Sequence, residues 1–334
     1  MYAKPHLTYA EQLSLLESRG LACADRDAGL ALLRGAGYYR LSAYVYPFRE
    51  LLPAAEMCVA SPVHYRADRV VQGTTLEHVE ALWRFDRRLR LRLLDGLELV
   101  EVGLRTQVAH TLGARDAFGH LSLAALDASA CAESRPIAGG GRTTAFEAWV
   151  ARYEKLEHDA RNEDYVRHHL VKYGKPLPIW VAIEFLDFGA VTRLYELLER
   201  NDQNRVAAQL GVKGGRALVP WLKALNYLRN TAAHHGRLWN RTTTLKIGKF
   251  SPAQVGDTLR HAAVLEPPDK IYRALAVTAY LVQHVDPKSR WNVHVRDDLS
   301  KFPDVPRLSC ERDMGFPAGW KSLDLWKPGA PSIA

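Results

Sequence analysis

Apolar residues along this chain recur at intervals of three and four far more often than at every second position, the spacing of helices with one buried face. The clearest run covers 74–112, where Leu82, Phe85, Leu89, Leu93, Leu97, Val100, Leu104 and Val108 fall in register. Thr75 followed by acidic residues marks its start and Gly113 its end, so the pattern predicts one or two long helices. The same periodicity predicts helices over 146–157, 179–188, 191–200, 217–235 and 270–284, with short helices across 11–50. Only 242–247 has strand character. The small and polar run 127–144, with Gly139-Gly140-Gly141, is the expected loop or linker.

The resulting expectation is an all-α, multi-helix bundle. It has an N-terminal helical region (1–126), a flexible loop or linker (127–144), a second helical region (145–287) and a C-terminal segment (288–334). That last segment is rich in proline and aromatics and is expected to wrap back over the helices. No internal repeat is evident. A chain of 334 residues can bury a sizeable core without disulfide or metal staples. Cys23, Cys58, Cys131 and Cys310 are widely separated, with no zinc-site or dithiol spacing, which fits a reducing, cytoplasmic setting. The start of the chain lacks an apolar signal core, and no run approaches the roughly 18 apolar residues of a membrane span.

Charge changes the picture because of where it lies. The formal net charge is +8. From Gln203 to Gly256 there is no Asp or Glu, while Arg205, Lys213, Arg216, Lys223, Arg229, Arg237, Arg241, Lys246 and Lys249 contribute +9, leaving −1 for the rest of the chain. A polyanion such as RNA is the natural counterpart of that segment, through salt-sensitive phosphate contacts. A basic face that only keeps the protein soluble is the plainer alternative.

Within this segment Arg229-Asn230-Thr231-Ala232-Ala233-His234 combines residues suited to RNA cleavage. The helix holding it carries Trp221, Leu222, Leu225 and Leu228 as its buried stripe, with Pro220 expected in the first turn and Gly236 just past the end. Asn230 and His234, four apart, share a face, whereas Arg229 lies about 140° round from His234, so only a long side chain reaches back. Histidine exchanges protons near neutrality, as attack by a ribose 2′-hydroxyl requires, and that route needs no metal or other cofactor. Arginine presents a planar fork to phosphate. In this scheme His234 handles the proton, Arg229 stabilises phosphate charge and Asn230 holds His234 or the phosphate in place. His235 is a partial substitute for His234 but sits 100° further round. His235, Arg237, Arg241, Lys223, Lys246, Lys249 and Arg216 are the accompanying RNA-binding candidates.

Spacing alone is weak support. Arg105–His110, Arg115–His120, Arg152–His158 and Arg161–His168 show similar intervals by chance in a chain with 13 histidines, and Arg161 is even followed by Asn162. The Tyr38, Tyr39, Arg40, Tyr44, Tyr46 cluster reads first as core and hydrogen-bonded rim, and His158, His168 and His169 as solvated surface. Gly139 to Thr144 lacks the lysine of a phosphate loop.

Taken together, Arg229 to Arg241 resembles the signature of the Abi family of bacterial abortive-infection proteins, placed in the HEPN superfamily. Further landmarks agree: Gly37-Tyr38-Tyr39-Arg40-Leu41-Ser42 with Tyr44, Pro47 and Phe48; Phe85-Asp86-Arg87 with Leu89-Arg90; Pro178-Ile179-Trp180 with Phe188-Gly189; and Met314-Gly315-Phe316-Pro317 with Trp320. The resemblance implies an all-α HEPN fold, metal-independent RNA cleavage by Arg229, Asn230 and His234, and arrest of a phage-infected cell. It also implies that two motifs face each other, either in a homodimer or through Arg105-Thr106-Gln107-Val108-Ala109-His110 within the chain. That second motif lacks the Asn, and Glu98 and Glu101 are placed to pair with Arg105. Other readings are a non-catalytic RNA-binding protein holding a regulatory RNA, and an interaction module of a toxin–antitoxin pair with a neighbouring antitoxin.

Overall fold

The computed structural model describes residues 5–58, 65–137, 139–266 and 270–328. Helices α1 (Tyr9–Ser18), α2 (Arg26–Ala36) and α3 (Tyr38–Val45) open the chain, followed by strands β1 (Arg49–Leu51) and β2 (Arg66–Val70), paired antiparallel. The predicted long helix is a single one, α4 (Leu76–Gly113), about 57 Å long at 1.5 Å per residue. Its start is a capping box: the Thr75 hydroxyl accepts from the His78 N–H, and His78 Nδ1 accepts from the Thr75 N–H at 3.1 Å. Its stripe from Leu82 to Val108 is buried, and the other elements are arranged around it.

Residues 127–144 hold α5 (Ala128–Ala132) and a hairpin of β3 (Ser134–Pro136) and β4 (Arg142–Thr144), in the register Ser134↔Thr144, Arg135↔Thr143. The expected loop is thus a structured element, because Gly139, Gly140 and Gly141 all adopt positive φ and let the strands return on each other. Then come α6 (Ala145–Asp159), α7 (Asp164–Tyr173), α8 (Ile179–Ala182), α9 (Phe188–Leu197), α10 (Arg200–Gln209) and α11 (Gly215–Ala233). The helix expected over 179–188 breaks at Leu186. Asp187 there accepts from the Ala190 N–H at 2.7 Å, so its side chain caps α9 instead of continuing α8.

The expected strand over 242–247 does not form; these residues are irregular, and only Thr243 and Ile247 are buried, so the run lacks the alternating buried face of a strand. Helices α12 (Asp257–Ala263), α13 (Ile271–Val285), α14 (Trp291–Leu299) and α15 (Cys310–Met314) complete the bundle. Buried on every side, α13 is the second core helix beside α4. In the C-terminal segment Trp320 and Trp326 are buried, Trp326 Nε1 donating to the Tyr272 hydroxyl of α13 at 3.3 Å, and the segment carries α14 and α15 as well. Gly96 lets α14 close on α4, where any Cβ would stand 2.3 Å from the Trp291 ring.

The deepest polar junction lies at Asp86 of α4, which is fully buried. Its carboxylate accepts from the Tyr44 hydroxyl and from Arg90 Nη1, both at 2.6 Å. It also accepts the backbone N–H groups of Leu238 at 3.1 Å and Trp239 at 2.7 Å. Burial presses its pKa upward against these donors, which favour the ionised form. Three segments far apart in sequence therefore meet on one side chain. Asp86→Ala leaves the Tyr44 hydroxyl and two N–H groups buried without an acceptor, and Arg90 with the Tyr44 oxygen at 3.1 Å but no counter-charge. It is expected to cost about 3–5 kcal/mol in urea unfolding, against less than about 1 kcal/mol for Asp68→Ala, an exposed ion-pair partner of Arg19 and Arg49.

His120 is a second buried polar group, packed edge-on against Tyr153, and neither ring nitrogen has a hydrogen-bond partner among the described residues. Burial pulls its pKa from 6.5 to about 4, with a small opposing pull from Asp116. The unfolded chain therefore binds a proton that the folded one refuses. Stability is expected to fall as pH drops from about 6.5 towards 4, by on the order of 3 kcal/mol, and His120→Leu should flatten that part of a denaturation-versus-pH profile.

Candidate active site

Helix α11 forms because Leu218, Trp221, Leu222, Leu225, Leu228 and Ala232 repeat at three and four residues and are all buried. It begins at Gly215, earlier than expected, so Pro220 lies inside the helix rather than in its first turn. Pro220 faces solvent, where the carbonyl left without its helical partner can be hydrated. The end of the helix is a Schellman turn. The Gly236 N–H donates to the Thr231 carbonyl at 2.8 Å and the His235 N–H to the Ala232 carbonyl at 3.0 Å. The left-handed position of that turn belongs to His235, at φ +60°, and not to the glycine beside it. Gly236 is needed for another reason: a Cβ there would stand 2.9 Å from Thr231 Cγ2.

Arg229 reaches round the helix as its length allows, donating from Nη1 to Asn230 Oδ1 at 3.1 Å. Its Nη2 lies 3.5 Å from the carboxylate of Glu101, a buried residue of α4. Arg105 Nη2 donates to the other oxygen of Glu101 at 2.5 Å, the pairing helical spacing predicts, whereas Glu98 is exposed and takes no part. One carboxylate thus joins the arginines of both motifs. Their histidines diverge. Glu101 meets Arg229 while Asp86 meets the backbone just past α11, so α4 and α11 run antiparallel. His110 then lies beyond Arg105 in one direction and His234 beyond Arg229 in the other, on the order of 20 Å apart along the helix axes. His234 is exposed one turn past Asn230, with its N–H on the Asn230 carbonyl at 2.9 Å and its ring unpartnered among the described residues.

Arg229 and Asn230 stand at one end of a groove of about 700 Å³ walled by β3, α6, α9 and α11. Arg152, Arg193 and Lys223 also line it, opposed by Asp187 and Glu196. The accompanying basic candidates do not act as one patch. Lys223 pairs with Glu196, and Lys249 with Glu266 at 2.9 Å. Arg237 turns inward to the Ala43 carbonyl, and burial lowers its pKa. Arg241 rests on Tyr227, its Nη2 donating to the phenol oxygen at 2.5 Å and its guanidinium lying over the ring. Lys246 and His235 are exposed, and Arg216 lies further along α11 on an adjoining cavity. The groove arginines on α6 and α9 escape a reading by sequence because they lie outside the acid-free segment. Among the described residues there is no cluster of three metal-ligating side chains and no helix long and apolar enough to cross a membrane.

The arrangement defines an all-α protein with a basic groove ending on an arginine–asparagine pair. The family model described as "Abi-like protein" matches residues 31–240, more than half of the chain, and the chain belongs to that family. Membership implies a role in abortive infection, a phage-defence response. The matched span contains α3, α4 and α11 together with the loop bound by Asp86; Met314 to Pro317 and Trp320 lie beyond it. No curated protein and no solved structure matches the chain.

Strain at His235 is directly measurable. A non-glycine residue held at positive φ costs about 1 kcal/mol, so His235→Gly is expected to raise the unfolding free energy by roughly that amount in urea titration.

Proposed function

We propose that this protein is a metal-independent endoribonuclease of the HEPN type that acts in abortive infection by cutting RNA. The observation that carries this reading is the Arg229 guanidinium docked on Asn230 at the end of a basic groove, with the free ring of His234 one turn away on the Asn230 face. In the proposed reaction the His234 imidazole takes the proton of a ribose 2′-hydroxyl and the freed oxygen bonds to the adjacent phosphorus. The bond from phosphorus to the 5′-oxygen breaks, and that oxygen receives a proton. Products are a 2′,3′-cyclic phosphate and a 5′-hydroxyl. Arg229 stabilises charge gathering on the phosphate oxygens, and Asn230 holds its guanidinium in place.

Arg105 belongs to this cationic centre through Glu101, but the separation of His110 from His234 leaves one imidazole per site. A second copy of the chain, with its own His234, is the arrangement that supplies both the base and the acid. In the cell an antitoxin or regulatory RNA would restrain such an activity.

The test is incubation of the protein with RNA in excess chelator, followed by analysis of the new ends. Cyclic-phosphate ends are expected, and His234→Ala should slow cleavage by about 10²–10⁴-fold. Cleavage retained in the Arg229→Ala, His234→Ala double variant overturns the site. Salt-sensitive RNA binding without any cleavage would favour the non-catalytic RNA-binding reading.

A further inference from the structure

The groove does not end at Lys223. A second cavity of about 440 Å³ shares Arg135, Glu196 and Lys223 with the first and continues along α11 towards Arg200 and Arg216. Resting on the nuclease reading above, we propose that this continuous channel binds the backbone of single-stranded RNA on one side of the bond to be cut, with Arg193, Arg200 and Arg216 as its phosphate contacts.

Charge pairing separates these three from the other cations. Arg135 is engaged by Glu133, Arg152 by Asp187 and Lys223 by Glu196. Arg193, Arg200 and Arg216 are exposed and have no carboxylate partner among the described residues. Unpaired guanidinia facing a concave channel keep their donors for a ligand, and their planar fork suits phosphate.

Spacing along α11 gives the channel a direction. Arg216, Lys223 and Asn230 repeat every seven residues and so share one face of the helix. Fourteen residues at 1.5 Å make a stripe of about 21 Å. That length accommodates several successive phosphates at the ~3.4 Å per nucleotide of a stacked strand. Arg193 and Arg200 face the stripe from α9 and the start of α10, and β3, α5 and α6 supply the remaining wall. The stripe ends on Asn230 beside Arg229, so a strand lying in the channel delivers its next phosphate to the proposed catalytic pair.

The experiment uses the full chain carrying His234→Ala, so that RNA stays intact, and a fluorescein-labelled 12-nucleotide single-stranded RNA followed by anisotropy from low to high salt. Each lost phosphate contact should lower the slope of log affinity against log salt by about 0.7, so Arg193→Ala, Arg200→Ala, Arg216→Ala together should lower it by about 2. Arg34→Ala, Lys288→Ala, Lys301→Ala removes the same formal charge from exposed positions elsewhere and is expected to leave the slope nearly unchanged. An unchanged slope in the groove variant overturns the channel, as does an equal loss in the control variant or displacement of the RNA by poly-glutamate as effective as by unlabelled RNA. Urea midpoints confirm that each variant is folded. The readout is binding, so a failed channel is distinguishable from a failed nuclease assignment, which would appear as intact RNA with the unmodified protein.

Discussion

The carboxylate of Asp86 is the contact on which the placement of the candidate site depends. The chain after α11 must reverse and cross the N-terminal half of α4, and at that point the Leu238 and Trp239 N–H groups are buried with no helix or sheet to receive them. Asp86 accepts both, and its remaining acceptor capacity is taken by Tyr44 and Arg90. An unpaired charge or N–H in that interior would cost several kcal/mol, so the junction is kept only with all partners present. Arg237 adds a further tie from the same loop to the Ala43 carbonyl. The end of α11, with Asn230 and His234, is therefore held by α3 and α4 through a node some distance from the site.

This node explains why segments far apart in sequence look like parts of one signature. Gly37 to Phe48 contributes Tyr44, the Phe85-Asp86-Arg87 segment with Leu89-Arg90 contributes the acceptor and its cation, and Arg237-Leu238-Trp239 contributes the bound backbone. The tyrosine cluster is only partly the core and rim expected of it: Tyr44 is buried and hydrogen-bonded, while Tyr39 is 90% exposed and contributes nothing to the core. Long elements with strong period were legible from sequence, above all α4 with its Thr75 cap and the buried stripe of α11, although the start of α11 was not. Short or polar elements were not. Helix α10 carries few apolar side chains to report its period, and α9 starts where Asp187 chooses a cap over a continued helix.

Charge shows the same limit. The acid-free stretch is a property of the linear chain, and folding brings carboxylates to it from elsewhere: Glu101 to Arg229, Glu196 to Lys223, Glu266 to Lys249. Conversely, Arg193 and Arg200 sit in segments that contain acids and yet remain unpaired in space. Local charge density singles out α11, but which cations are available to a ligand is decided by the tertiary neighbours of each one.

Glu101 makes the relation between the two arginine–histidine motifs specific. A single buried carboxylate between Arg105 and Arg229 leaves the trio with a net charge of +1, enough to attract a phosphate yet free of two unpaired guanidinia repelling each other in a partly buried place. Antiparallel helices then separate the histidines, since each follows its arginine towards the opposite end of the pair. The second motif therefore shares the Glu101 carboxylate with the first, while its His110 lies towards the other end of the helix pair. The missing Asn after Arg105 fits this division: Thr106 at that position bonds back to the Val102 carbonyl at 3.0 Å on its own helix, whereas Asn230 turns outward and receives Arg229. Two motifs of similar spacing are thus unlike in structure: Arg229 rests on Asn230, while Arg105 is tied to Glu101 of its own helix.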